Sequence, residues 1–165
     1  MSRVPFQLVP LDAAHDRAAF RSDSEPLNRY LREQVTQDVR RRVAACFVAL
    51  ADGQRIAGYY TLASASLLLA DLPASTGKKL PRYPTVPAVR MGRLAVDQAF
   101  KGQGLGGALL ADALDRAARS DIAAFALMVD AKDEAAAEFY RYHGFIALPD
   151  SPLNLFLPLA TVQRS

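Results

Sequence analysis

The sequence predicts an α/β fold in which helices flank a mixed, mostly antiparallel sheet of about six or seven strands. Three observations lead there. Seven short β-rich runs are spread along the 165 residues, and between them lie three segments whose apolar residues recur at helical spacing. Apolar residues make up 51% of the chain and charged residues 22%, a balance that supports a buried core and excludes global disorder. The length suits one domain, residues 1–165, able to bury about two thirds of its unfolded surface without disulfides.

The elements follow in order. Phe6-Gln7-Leu8-Val9-Pro10 alternates like a short strand. Residues 24–42 read as a helix with Ser24 as N-cap, an apolar stripe of Leu27, Tyr30, Leu31, Val35 and Val39, and a solvated last turn of Arg40-Arg41-Arg42 that complements the helix dipole. Residues 43–50 and 55–66 form an antiparallel pair, because Asp52-Gly53 between them is a strong hairpin signal. Residues 71–87 hold Pro73, Pro81, Pro84 and Pro87, which argues for a long loop and against both a helix and a central strand.

Residues 88–96 read as a buried strand whose parity breaks, with Val89 and Met91 on odd positions and Leu94 and Val96 on even ones. A β-bulge near Gly92-Arg93 is the simplest device that would do this. Residues 104–119 form an amphipathic helix with Leu105, Ala108, Leu109, Ala113 and Ala117 on one stripe, and residues 124–129 a strand. Asp133 caps a helix that runs to Tyr142, carries Ala136, Phe139, Tyr140 and His143 at helical spacing, and stops at Gly144. Residues 145–148 and 153–157 are the last strands.

Composition narrows the function classes. Cys46 is the single cysteine and stands inside a β-rich run, so it is expected to act as a small core hydrophobe in a reducing, cytoplasmic setting. With only His15 and His143 as histidines, no protein-built metal site is expected. No apolar run approaches the roughly 20 residues that cross a bilayer, and residues 1–5 lack the apolar stretch of a signal peptide. Net charge is +3, yet residues 77–104 carry Lys78, Lys79, Arg82, Arg90, Arg93 and Lys101 against Asp97 alone. An anionic ligand is therefore expected near the middle of the chain.

Two constellations carry chemistry. The strand ending Arg93-Leu94-Ala95-Val96 runs through Lys101-Gly102-Gln103-Gly104-Leu105-Gly106-Gly107 directly into a helix. Glycines there let backbone approach an anion, and the free N–H groups of the first helical turn favour its charge. The other constellation is Asp133-Glu134-Ala135-Ala136-Ala137-Glu138-Phe139-Tyr140 followed by Gly144-Phe145. Together, in this order and about 30 residues apart, they resemble the GNAT family of acyl-CoA-dependent N-acetyltransferases. That family's pyrophosphate loop reads Gln/Arg-x-x-Gly-x-Gly/Ala, and its later helix reads Asn-x-x-Ala-x-x-Phe-Tyr-x-x-x-Gly-Phe. Lysine at position 101 and aspartate at position 133 are the departures.

The resemblance implies a GNAT sheet splayed between the strands ending at Val96 and Val129 to admit acetyl-CoA. Pantetheine would pair with backbone at Leu94, Ala95 and Val96, with an N–H near Leu94 polarising the thioester carbonyl. Lys101, Gly102, Gly104, Leu105, Gly106 and Gly107 would take the pyrophosphate, and Asp133 would stand at the pantetheine-binding asparagine. Tyr140 would be the general acid, since a phenol near pKa 10 keeps its proton at neutral pH and a thiolate near 8.5 accepts one readily.

A narrower resemblance runs through Gly58-Tyr59-Tyr60-Thr61-Leu62, Leu80-Pro81-Arg82-Tyr83-Pro84, Gly92-Arg93-Leu94-Ala95-Val96-Asp97 and Val129-Asp130-Ala131-Lys132. These segments look like the GNAT toxins of bacterial toxin–antitoxin pairs. That subfamily acetylates the α-amine of aminoacyl-tRNA and blocks translation, forms dimers, and is neutralised by a ribbon-helix-helix antitoxin. Lys78, Lys79, Arg82, Arg90 and Arg93 would then face tRNA phosphates. An α-amine near pKa 7.7 to 8.0 needs little help from a base, and Asp97, Asp130 and His143 are no strong candidates for one. Acetylation of a small amine or a protein N-terminus is the alternative among enzymes, and a non-catalytic acetyl-CoA-binding module the alternative outside them.

Overall fold

The computed structural model describes residues 6–162, so the expectation drawn from residues 1–5 lies outside the described residues. In chain order the elements are β1 (Gln7–Pro10), α1 (Glu25–Arg29), a π-helical turn (Tyr30–Gln34), α2 (Val35–Arg40), β2 (Ala45–Leu50), β3 (Ile56–Leu68) and α3 (Ala74–Gly77). They continue with β4 (Thr85–Val96), α4 (Leu105–Arg119), β5 (Ala126–Asp130), α5 (Glu134–Tyr142), β6 (Ile146–Leu148) and β7 (Ser151–Pro158). The seven strands hydrogen-bond in the order β1-β2-β3-β4-β5-β7-β6. Pairing is antiparallel for β1/β2, β2/β3, β5/β7 and β6/β7 and parallel for β4/β5, which is the mixed, mostly antiparallel sheet expected.

The chain forms two compact units, one of Met1–Ala63 with Gly92–Ala113 and one of Ser64–Met91 with Leu114–Ser165. In the first, Phe20, Tyr30, Leu31, Val35, Cys46, Val48, Leu50, Ile56, Tyr59 and Ala95 form the core, so Cys46 is the buried hydrophobe expected. The Asp52-Gly53 turn closes β2 onto β3, with Gly53 at φ +55° and the Arg55 N–H donating to the Asp52 carbonyl at 2.9 Å. Gly58 is required by close approach: a Cβ there would lie 2.8 Å from Leu109 Cδ1 and 3.0 Å from the Ala95 carbonyl oxygen. In the second unit, Leu67, Leu72, Val86, Ala88, Ala126, Met128, Leu148 and Phe156 form a separate core.

Three expectations need correction. Ser24 does cap a helix, its hydroxyl accepting from the Leu27 N–H at 3.3 Å, but the helix is not one regular rod to residue 42. The π turn adds a residue to the repeat, the Val35 N–H reaching back to the Tyr30 carbonyl, and the stripe loses its phase. Val39 therefore stands exposed, although Tyr30, Leu31 and Val35 are buried. In α4 the stripe is Leu105, Leu109, Leu110, Ala113 and Ala117, with Ala108 facing solvent.

The prolines of residues 71–87 exclude neither a helical turn nor an interior strand. Pro73 starts the single turn α3, and β4 takes in Pro87. The Pro87 carbonyl accepts from the Phe125 N–H at 2.8 Å, and register with β5 begins only at Ala88↔Ala126, so the missing N–H breaks no pair of that ladder. Burial along β4 changes phase between Ala88 and Met91, and the unshifted β5 ladder, Ala88↔Ala126 to Met91↔Val129, ends before the Gly92-Arg93 position expected to bulge.

Candidate active site

In the first unit, the segment Leu94, Ala95 and Val96 ends β4, and Asp97 then turns the chain. Asp97 is only 3% exposed, and its carboxylate is occupied by backbone: Oδ1 accepts from the Ala99 N–H and Oδ2 from the Arg21 N–H, both at 2.8 Å. Its own N–H donates to the Ala57 carbonyl at 2.8 Å. These bonds tie the turn to β3 and to the segment before α1, and leave Asp97 a structural anchor rather than a base.

The glycine turn follows. Gly102 and Gly104 sit at φ +79° and +77°, conformations in which a side chain is strained, and a Cβ at either would meet no heavy atom within 4 Å. The turn thus presents bare backbone to open space. The Gly104 carbonyl accepts from the Ala108 N–H at 3.1 Å, so the amides of Leu105, Gly106 and Gly107 precede the first helical bond of the 15-residue α4. Unpaired amides, a helix dipole and an uncrowded surface fit a pyrophosphate. Lys101, expected at this anion, forms an ion pair with Asp23, which also accepts from Gln98 Nε2 at 3.0 Å.

In the second unit, α5 carries the other constellation. The Asp133 Oδ1 accepts from the Ala136 N–H at 2.9 Å and caps the helix, as expected, and Gly144 ends it at φ +96°. Tyr140 is 8% exposed, its ring packed edge-on against Phe139 at 5.3 Å and tilted against Phe145 at 5.6 Å. Its hydroxyl makes no hydrogen bond among the described residues, and no fully buried side-chain oxygen there lacks a partner, so this oxygen is reachable by solvent. Burial pushes the phenol up to about 12, with the Asp130 charge adding to the rise. Asp130 is itself held by an ion pair to Arg90 and a hydrogen bond from Asn154.

The five cations expected at an anionic substrate differ in what they meet. Arg93 lies in the first unit with its guanidinium 3.6 Å from the centre of the Tyr30 ring, and the Tyr30 hydroxyl donates to Asp38 at 2.8 Å. Arg90 is spent on Asp130. Lys78, Lys79 and Arg82 are different: among the described residues they have no ion-pair partner, and Lys78 and Arg82 line one groove of about 820 Å³. Sequence reasoning missed Asp23, Asn154 and the role of Asp97, because each acts on a partner 24 to 78 residues away and no local pattern announces such a pairing.

The sequence pattern of the Acetyltransferase (GNAT) family matches residues 11–145. The chain is 37% identical over 146 residues to the tRNA-acetylating toxin of Mycobacterium tuberculosis, covering 87% of this chain and 86% of that protein. With the probable toxin TacT of Sinorhizobium fredii it shares 30% over 167 residues, 94% of this chain and 92% of that one. Among solved structures it matches AtaT complexed with acetyl-methionyl-tRNAfMet at a TM-score of 0.89 and 31% identity, covering 96% and 97% of the two chains. It also matches a mutant AtaT toxin bound to the C-terminus of the antitoxin AtaR and acetyl-CoA, at 0.81 and 26%, covering 95% of each. Among the described residues no helix is long and apolar enough to cross a membrane.

Proposed function

The chain belongs to the GNAT family of acetyltransferases, whose co-substrate is acetyl-CoA, and on that premise we propose that it acetylates the α-amino group of aminoacyl-tRNA and blocks translation as a toxin. The single observation that carries the tRNA reading is a set of uncompensated cations. Lys78, Lys79 and Arg82 have no ion-pair partner among the described residues, whereas Lys101 and Arg90 are neutralised by Asp23 and Asp130. The similarity to a tRNA-acetylating toxin and to AtaT complexed with acetyl-methionyl-tRNAfMet supports the same substrate.

In this reading the amides at Gly102, Gly104, Leu105, Gly106 and Gly107 hold the pyrophosphate. Backbone at Leu94, Ala95 and Val96 pairs with pantetheine, a Leu94 N–H polarising the thioester carbonyl. Lys101 contributes charge beside the turn, and Asp133 positions α5 through its cap. The substrate amine forms the new C–N bond as the C–S bond breaks. Tyr140 gives its proton to the leaving sulfur, and the amine loses one to water, which restores the phenol. A phenol held at about 12 stays protonated through the neutral range, as a donor must. Asp97 and Asp130 are occupied, so attack relies on an α-amine whose pKa, about 7.7 to 8.0 when free, is lowered further by the ester of aminoacyl-tRNA and leaves much of it neutral.

Both units act together as one acetyltransferase domain, a reading supported by a single family pattern that runs through segments of each. The enzyme works in the cytoplasm as a homodimer and is neutralised by a ribbon-helix-helix antitoxin. Support for the antitoxin comes from the relative bound to the C-terminus of AtaR. The test is transfer of labelled acetyl from acetyl-CoA to charged tRNA, compared with uncharged tRNA, free amino acids and polyamines. Label on charged tRNA alone is the expected result, and equal labelling of polyamines replaces this function with general amine acetylation.

A further inference from the structure

A groove in the second unit has a chemistry that the acetyl-transfer machinery does not use. It is about 820 Å³ in volume, and its walls include Leu68, Leu72, Lys78, Arg82, Tyr83 and Pro84. Tyr83 is 69% exposed and Leu68 53%, both among the large apolar side chains exposed on the described surface. No acidic residue lines the groove, and the cations at its rim have no ion-pair partner among the described residues. The prolines hold the shape: Pro73 starts α3, and the Pro84 carbonyl accepts from the Leu69 N–H at 3.0 Å, tying the Tyr83 segment to the end of β3. An exposed aromatic ring on a braced wall, with neighbouring uncompensated cations, is the composition of a platform for unpaired nucleotides. Bases stack on the ring while phosphates meet the charges. Double-stranded nucleic acid would use the cations and leave the aromatic idle, because its bases are already stacked.

We propose that this groove seats the single-stranded 3′ end of the tRNA acceptor, with Tyr83 stacking an unpaired base and Lys78 and Arg82 meeting its flanking phosphates. The inference rests on the tRNA reading above and deepens it: the enzyme recognises the unpaired end of its carrier by stacking as well as the carrier's charge. Tyr83 is here a specificity residue and takes no part in the proton transfer assigned to Tyr140.

The experiment measures acetylation of methionyl-tRNA and of methionine methyl ester, which offers the same α-amine on an ester without nucleotides. Three proteins are compared: the parent, Tyr83→Ala and Tyr83→Phe. One stacked base is worth about 1–3 kcal/mol, so Tyr83→Ala should raise KM for methionyl-tRNA by roughly 5- to 150-fold with kcat little changed. Tyr83→Phe should restore it, and the methyl ester should be acetylated alike by all three. An unchanged KM for methionyl-tRNA in Tyr83→Ala, or an equal loss on the methyl ester, overturns the groove assignment while tRNA acetylation by the parent still stands. A change in sedimentation of Tyr83→Ala would make the groove an interface between protein chains, and also overturns it. A parent enzyme that acetylates the methyl ester but no charged tRNA removes the reading beneath it as well.

Discussion

Tyr140 joins a buried ring to a hydroxyl with no hydrogen-bond partner among the described residues, and its pKa of about 12 reports the cost of placing a phenolate there. Tyr140→Phe keeps the packing against Phe139 and Phe145 and removes the proton. Acetyl-CoA binding should persist by calorimetry while turnover falls by roughly 10²- to 10⁴-fold. The pH–rate profile of the parent should rise through the amine's own pKa and show no loss from Tyr140 below about pH 10, since the folded phenol titrates near 12. Cys46 obeys the same physics without the chemistry. Burial raises its thiol to about 12, from about 9 in the unfolded chain. Both groups are raised, so their contribution is complete below the unfolded value and is lost as pH climbs towards the folded one. Urea midpoints should therefore decline from about pH 9 upward, and Cys46→Ala should flatten the first part of that decline. An unchanged slope would show that the thiol titrates alike in the folded and unfolded chain.

At the level of elements, two helix starts carry the proposed site and answer to different demands. The start of α5 depends on a side chain: Asp133→Asn preserves an acceptor for the Ala136 N–H and should cost only a few tenths of a kcal/mol, whereas Asp133→Ala should cost about 0.5–2 kcal/mol in urea unfolding. The start of α4 depends on the absence of one. Gly104→Ala adds a Cβ with open space around it, so any penalty is conformational, about 1–2 kcal/mol for a left-handed residue. In the parent, acetyl-CoA at a hundredfold excess over Kd should add about 2.7 kcal/mol of stability. Gly104→Ala should lose most of that increment by thermal shift, and retention of the full shift would place the pyrophosphate elsewhere. Both starts were legible in the sequence, because caps and left-handed glycines are local. The π turn was not, since a one-residue change of helical phase at Tyr30–Gln34 leaves no mark in an apolar pattern that reads well as regular helix.

For the whole molecule, charge placement separates cofactor from carrier. Neutralising Lys78, Lys79 and Arg82 together should weaken charged tRNA and lower the slope of log K against log salt by about 0.7 to 0.9 for each phosphate that no longer meets a cation, with acetyl-CoA affinity unchanged. A slope equal to the parent's would exclude these side chains from the tRNA interface. Arg90→Gln should act differently, because it frees Asp130 rather than removing an unpaired surface charge. The sequence by itself determined the order and type of most elements, the hairpin at Asp52-Gly53, the glycine turn, the capped helix with Tyr140, and through these the family. Each is written within a few residues, as a period, a cap or a turn. Only the tertiary structure decided that Asp97 is a buried anchor, that Lys101 and Arg90 are neutralised while Lys78, Lys79 and Arg82 are not, and that Tyr83 stands open over a groove. A net charge summed over a segment counts side chains, whereas binding depends on which of them find partners. Those partners, Asp23 for Lys101 and Asp130 for Arg90, lie 78 and 40 residues away and meet them only when the chain has folded.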